Sequence, residues 1–300
     1  MSDTIPALPP AVEAERIEIE AAAGRQSYYV AGDGPPALLV HSVNAAASAY
    51  EVSPLFEHLS ATRRVYAPDL PGFGFSDRSR RDYNVTLYTD AVIDLLNVIA
   101  ADYGNEPVDA LALSLSSEFV ARAAVRHASR FRSIAFVTPT GFTAGSEKLR
   151  KPEGANREKR WLSGIVEFPL WRSPLFNKLV SPRSIRYFLK RSFGSDNVDD
   201  GLVAYAEVTA RQPGAEHAPF AFLSGRLFST DIRDVYEALQ MPVWLAHGTR
   251  GDFRDFRGAA WTRERSNWQV DAFDAGAMPF FEQPGEFLSR LDRFLAGASG

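Results

Sequence analysis

The sequence has no cysteine among its 300 residues, which excludes disulfides, thiolate metal ligands and a cysteine nucleophile. It also lacks a basic excess. Lys and Arg number 33 against 37 Asp and Glu, for a net charge of −4, so nothing stands ready to neutralise a phosphate backbone and nucleic acid is not expected as a partner. No stretch reaches the ~18 uninterrupted apolar residues of a bilayer crossing, so no membrane span is expected. The opening Met1-Ser2-Asp3-Thr4-Ile5-Pro6 has neither a basic nor an apolar leader region. A secretion signal is therefore not expected, and a cytoplasmic location is. No cofactor and no metal site is expected. Histidine is scarce, with 5 in the chain, and that scarcity becomes the central question below.

What is present is ordinary for a folded domain: 45% hydrophobic and 23% charged residues, with enough length for one α/β domain carrying an insertion. Residues 1 to about 12 are rich in Pro and Ala and read as a loose arm. Arg16–Ala21 alternates Ile17 and Ile19 with Glu18 and Glu20, and Gln26–Ala31 reads as its hairpin partner across Gly24. After the Gly32–Pro36 loop the pattern changes to short apolar runs separated by helical stretches. The runs are Ala37–Val40, Arg64–Ala67, Val108–Ala112, Ile134–Val137, Pro242–Ala246 and Trp268–Phe273. Near-continuous apolar strands alternating with helices predict an α/β fold with a mostly parallel sheet covered on both faces. Thr86–Tyr103 carries Val92, Leu95, Leu96 and Ile99 at helical spacing. Ser116–His127 and Glu286–Leu295 show similar stripes. From Phe142 to Gly225 no sheet strand is predicted, and Ser181-Pro182 reads as a helix cap and first turn. The expected division is a core of residues 13–141 and 226–298 with a helical cap of residues 142–225.

Five segments stand out, the second of them structural in role. Leu38-Leu39-Val40-His41-Ser42-Val43-Asn44 ends a strand in a polar turn. Asp69-Leu70-Pro71-Gly72-Phe73-Gly74-Phe75-Ser76 is a loop with two glycines beside a proline, suited to tight turns. Ala112-Leu113-Ser114-Leu115-Ser116 sets a serine between small residues, strand before and helix after; a serine there is equally a common N-cap. Gly248-Thr249-Arg250-Gly251-Asp252 follows a strand, with Asp255 as a second candidate acid and a self-bonded turn aspartate as the bland alternative. The last is Gly276-Ala277-Met278-Pro279, with Glu282 and Pro284 following.

In this order the five resemble the landmarks of the α/β-hydrolase superfamily, in its esterase- and epoxide-hydrolase-like branch with a helical cap. The resemblance covers about Arg16 to Ala296. It implies that Ser114 is the nucleophile at a strained elbow, that the Val43 and Leu115 amides form an oxyanion hole with the Asn44 side chain close by, and that Asp252 orients a catalytic histidine. The histidine position is occupied by Ala277. Among the other histidines, His41 is expected beneath the site, His58 and His127 at surfaces and His247 inside the fold. His217, in the cap region, is the one candidate for a substitute base. The basic run from Lys148 to Arg160 reads as a solvated face. With Trp161, Phe168, Trp171 and Phe176 nearby it could instead be an amphipathic surface for a lipid-like substrate.

The resemblance implies a serine hydrolase acting on a small, apolar, ester-like molecule, with an incomplete triad that leaves it impaired or inactive as written. Three explanations of Ala277 stand open: an inactivated hydrolase, a non-hydrolytic pseudoenzyme binding a small apolar ligand, or a lyase or cyclase using the same pocket. Serine at the elbow disfavours dehalogenase and epoxide hydrolase chemistry. The missing histidine disfavours cofactor-free oxygenation. The oligomeric state is not legible.

Overall fold

The computed structural model describes residues 6–146, 156–158 and 169–298. Eight strands make one sheet in the order β1-β2-β4-β3-β5-β6-β7-β8. The hairpin β1 (Glu15–Ala21) and β2 (Gly24–Ala31) is antiparallel, and β2 runs antiparallel to β4 (Arg64–Asp69). The others, β3 (Pro36–Val40), β5 (Val108–Leu113), β6 (Phe131–Val137), β7 (Val243–Gly248) and β8 (Trp268–Phe273), pair in parallel. All eight predicted strands are there. The central ones are legible because both faces are covered: β3 and β5 are buried at every residue, and such strands must be apolar throughout.

Alternate residues feed two cores. Leu38 and Val40 face a layer built with α2 (Val85–Tyr103) and α3 (Ser116–Arg126), while Ala37 and Leu39 face one built with α1 (Ser53–Ser60) and the C-terminal helix. Helix α2 starts at Asn84, whose side chain accepts from the Leu87 N–H at 2.9 Å. It buries the predicted stripe of Val92, Leu95, Leu96 and Ile99. Each such buried side chain contributes ~1.5–3 kcal/mol of hydrophobic stabilisation.

Between β6 and β7 the described residues form helices α4 (Pro169–Leu179), α5 (Pro182–Phe193), α6 (Asp200–Ala210), α7 (His217–Leu223) and α8 (Ile232–Glu237). No sheet strand falls between Phe142 and Gly225 among them. Ser181 caps α5 by accepting from the Ser184 N–H, and Gly194 closes it at φ 60. The short α9 (Pro279–Glu282) and α10 (Pro284–Gly297) end the chain. No helix of the described residues is long and apolar enough to cross a membrane.

Two expectations are corrected. The arm is not loose over its described part: Tyr205 donates to the Pro9 carbonyl at 2.8 Å, Gln212 to Pro6 at 2.9 Å, and the Ala11 N–H to the Tyr29 hydroxyl at 3.0 Å. Ala11 and Val12 are buried. Phe176 is not at a surface; it is buried against Phe220. Most of the Lys148–Arg160 run, with Trp161 and Phe168, lies outside the described residues, as does the Trp171 side chain.

The strand order reverses at β3, with β4 on one side and β5 on the other. Such a switch point opens a crevice beyond the strands' C-terminal ends, where ligands of open α/β sheets bind.

Candidate functional site

Ser114 sits at that switch point, between β5 and α3, with φ 51. Only one other non-glycine among the described residues has a positive φ: Thr138, at the end of the neighbouring β6. Such conformations cost ~1–3 kcal/mol and persist only where the surroundings over-determine them. Here the Ser114 N–H donates to the Val137 carbonyl at 2.9 Å, and the Ser117 N–H to the Ser114 carbonyl at 3.2 Å. Ala112 and Ser116, the small flanking residues, are fully buried. The capping role falls away for Ser114, since the N-cap of α3 is Leu115, with no side-chain cap. Its half-buried hydroxyl has no partner among the described residues. Ser116 is used otherwise: its hydroxyl donates to the His41 carbonyl at 2.5 Å, tying the elbow to the turn after β3.

That turn is held from below. The Leu70 N–H donates to His41 Nε2 at 2.9 Å, so the proton sits on Nδ1, 2.6 Å from the Ser42 carbonyl. Complete burial pushes the His41 pKa down to about 4, so it stays neutral. Glu51, which sequence reasoning missed, closes the turn. Its carboxylate accepts from the Ser42 N–H at 2.8 Å and from Asn44 Nδ2 at 2.6 Å. Burial pushes its pKa up, against the pull of those hydrogen bonds. The available signal was isolation: Glu51 is the only Asp, Glu, Lys or Arg between Asp33 and Glu57. Asn44 Nδ2 also donates to Ser42 Oγ at 2.9 Å, and Asn44 Oδ1 accepts from the Ala46 N–H. Both hydrogens of its amide are thus committed to the turn. The Val43 and Leu115 amides, in contrast, have no hydrogen-bond partner among the described residues, although both residues are buried. Unpaired buried N–H groups are rare.

The loop after β4 is scaffolding. Buried Asp69 accepts from the Ala49 and Phe75 N–H groups, each at 2.9 Å. Arg78 then joins the Gly74 carbonyl to Thr209 of α6.

At the ends of β7 and β8 the picture differs. Asp252 is on the surface, its carboxylate 2.7 Å from Arg191 Nε, with side chains 44% and 51% exposed. Its partner, Arg191, lies on α5. The Asp252 N–H also donates to the Arg191 carbonyl at 2.9 Å. Ala277 is half-buried; its N–H donates to the Ser192 carbonyl at 3.1 Å, and its carbonyl accepts from Thr138 Oγ1 at 2.8 Å. Val137 and Thr138, consecutive at the end of β6, therefore touch Ser114 and Ala277 in turn. Glu282 accepts from the Gly276 N–H at 2.5 Å and from Arg250 at 2.6 Å. A Cβ at Gly276 would stand 2.2 Å from the Phe193 backbone, so only glycine fits there.

The other candidates disperse. Asp255 pairs with Arg257, which holds its carboxyl well below the ordinary range. His247 stacks on Phe256 at 4.2 Å, and burial lowers its pKa. His58 meets Asp292 at the surface, and His127 is exposed. His217 opens α7, half-buried, 4.0 Å from the Glu216 carboxylate. Two surface cavities, lined by residues such as Asp271 and Arg293, lie beyond β8 and include none of these residues. Among the described residues no group of three or more His, Asp or Glu could hold a metal ion.

Known proteins agree with this architecture. Over 135 residues the chain is 31% identical to a 2-hydroxymuconate semialdehyde hydrolase of Pseudomonas putida, covering 43% of this chain and 47% of that protein. Over 75 residues it is 36% identical to an uncharacterized protein of Mycobacterium tuberculosis, covering 25% of this chain and 21% of that one. The chain thus spans less than half the length of either relative. Among solved structures, a serine hydrolase involved in carbazole degradation superposes with a TM-score of 0.72 at 16% identity, covering 94% of this chain and 99% of that one. The enol-lactonase from Burkholderia xenovorans superposes at 0.70 and 16% identity, covering 93% and 100%. The sequence profile of the alpha/beta hydrolase fold matches residues 35–208, more than half of the 300-residue chain, and the chain belongs to that family.

Proposed function

We propose that this chain receives a small, apolar, ester-like molecule at Ser114, and that its catalytic triad is incomplete at Ala277. The observation that carries the reading is Ser114 held at φ 51 with an unengaged hydroxyl, next to Leu115 and joined through Ser116 to the turn that holds Val43, two residues whose amides have no partner among the described residues. Ser114 Oγ attacks the carbonyl carbon. The oxygen that gains the electron pair takes hydrogen bonds from those two amides, and the Oγ proton must leave. A histidine at position 277 would accept it, with Asp252 as the orienting acid; Ala277 leaves that proton to water. An oxyanion hole and binding alone retain ~10³-fold over water, so slow turnover is the expected property of the unmodified chain. Helices α4–α7, within residues 142–225, would act as a cap over a core of residues 13–141 and 226–298, in a cytoplasmic protein. The likeness to 2-hydroxymuconate semialdehyde hydrolases supports a small-molecule substrate.

One observation favours the second reading, a pseudoenzyme that binds such a ligand, or a lyase or cyclase in the same pocket. The acid is engaged by Arg191 instead of facing the site. A fluorophosphonate probe separates the two. Slow labelling at Ser114, lost in Ser114→Ala, supports the hydrolase-type site. No labelling over hours, with apolar esters still binding, leaves the pseudoenzyme.

A further inference from the structure

We propose that the outer face of α5, with the loop after β7, docks the protein peripherally on anionic membrane surfaces. The inference is independent of whether Ser114 performs chemistry.

Three large aromatic side chains are strongly exposed among the described residues: Tyr187 at 54%, Phe188 at 50% and Phe253 at 55%. They fall in one place. Tyr187 and Phe188 meet edge-on at 5.4 Å. Arg191 lies over the Tyr187 ring and reaches Asp252, the residue before Phe253. Scattered single apolar residues need no explanation, but a contiguous group marks an interaction surface.

The helix that carries two of these rings bears charges of one sign only. From Pro174 to Ser195 the sequence has Lys178, Arg183, Arg186, Lys190 and Arg191 and no Asp or Glu, within a chain of net charge −4. Arg186, Lys190 and Arg191 reach out to Asp200, Asp196 and Asp252. Exposed pairs of this kind exchange readily for other anions. Arg183, on α5, and Arg254, beside Phe253, are exposed with no acidic partner among the described residues. Aromatic rings ringed by cations on a helix whose opposite face, through Ile185 and Phe193, is buried match an interface between lipid headgroups and acyl chains. No described helix can span a bilayer, so the association is peripheral. Charge complementarity selects an anionic lipid surface over an acidic protein, because the exposed rings need an apolar layer beneath the charge.

The full chain is mixed with sucrose-loaded vesicles of phosphatidylcholine alone, or of phosphatidylcholine with phosphatidylglycerol, and sedimented. Binding to the mixed vesicles is expected, weakening as salt rises. Arg183→Gln with Arg254→Gln should lower partitioning ~25-fold, at about fivefold per cation. Tyr187→Ser with Phe188→Ser and Phe253→Ser should lower it at least about tenfold, with an unchanged melting temperature because the rings are exposed. Failure to bind mixed vesicles at low salt would overturn the proposal. So would equal binding to neutral vesicles, or variants that bind like the parent. Self-association on light scattering that the serine variant abolishes, with no vesicle binding, would assign the surface to a second copy and overturn it too.

Discussion

At the ends of β3 and β5 the geometry is held by buried carboxylates and hydroxyls: Glu51 beneath the Ser42–Asn44 turn, Asp69 beneath Ala49 and Phe75, and Ser116 bridging to His41. At the ends of β7 and β8 the Glu282 and Thr138 side chains brace Gly276 and Ala277, and the loops are held to an inserted helix by backbone contacts. Arg191 and Ser192 of α5 accept from Asp252 and Ala277, and Phe193 packs on Gly276. The first region keeps donors free and a serine strained, an arrangement that has a cost and that the proposed function would account for. In the second, Asp252 pairs with Arg191 at the surface and the loops are joined to α5.

Restoring the base is the strongest test of this contrast. Ala277→His should raise hydrolysis of short p-nitrophenyl esters, since a general base adds ~10²–10⁴-fold. With Arg191 holding Asp252, the single change should reach only the lower end, and adding Arg191→Gln should raise kcat further. Ser114→Ala should abolish both gains. Rapid turnover by the unmodified chain with no gain from Ala277→His would place the base elsewhere, and His217→Ala would be the next variant to assay.

Removing the support of the first region should act on stability. Glu51→Ala leaves the Ser42 N–H and the Asn44 amide without their buried acceptor, an error that costs about 3 kcal/mol. Urea denaturation measures it. A loss under ~1 kcal/mol would mean that water replaces the carboxylate and that the turn is less built than its hydrogen bonds indicate.

Much of this was legible in the sequence, for a physical reason. Strands buried on both faces must be apolar, so β3, β5, β6 and β7 stood out, and Ile17 and Ile19 alternate because β1 has one face toward solvent. The turn at Ser114 was legible as a serine between the small, fully buried Ala112 and Ser116, strand before and helix after. What escaped depends on contacts distant in sequence. The N-terminal arm is pinned by Tyr205 and Gln212, nearly two hundred residues away. Asp252 has the spacing of a triad acid, but spacing fixes a backbone position and not a rotamer. Its direction is set by Arg191, which no local pattern connects to it. Glu51 lies close to its partners in sequence, yet in a non-helical turn where no periodicity points from one to the other.

A pH titration gives a smaller effect on the first region. The His41 pKa falls from 6.5 to about 4 on folding, so between those values the unfolded chain binds the extra proton. Its contribution therefore favours the fold at neutral pH and is lost as pH falls through that window, by about 2 kcal/mol from pH 7 to pH 5. Glu51, Asp69 and Glu118 have pKa values raised by burial, which stabilises the fold on acidification and works in the opposite sense. His41→Gln, which cannot charge yet can donate and accept, isolates the histidine. Parent and variant stabilities should diverge with pH in that direction, and parallel curves would mean that His41 stays protonatable in the fold.

The smallest expected effect lies in the second region. Asp252→Ala removes one side of an ion pair whose partners are both in water, where Coulomb attraction is screened and side-chain ordering offsets it. The backbone bond from the Asp252 N–H to the Arg191 carbonyl survives the substitution, and the helix end keeps its seat on Gly276. The melting temperature should therefore move by less than ~2 °C, and by no more in high salt than in low. The same substitution in the Ala277→His background is informative in another way. If Asp252 turns inward once an imidazole is present, Asp252→Ala lowers kcat there while leaving stability alone. A shift of many degrees in the unmodified chain would show instead that the Arg191–Asp252 pair, and not the backbone contacts, holds α5 against the two loops. The contrast between a region built on buried side chains and one held to an inserted helix by backbone contacts would then fail.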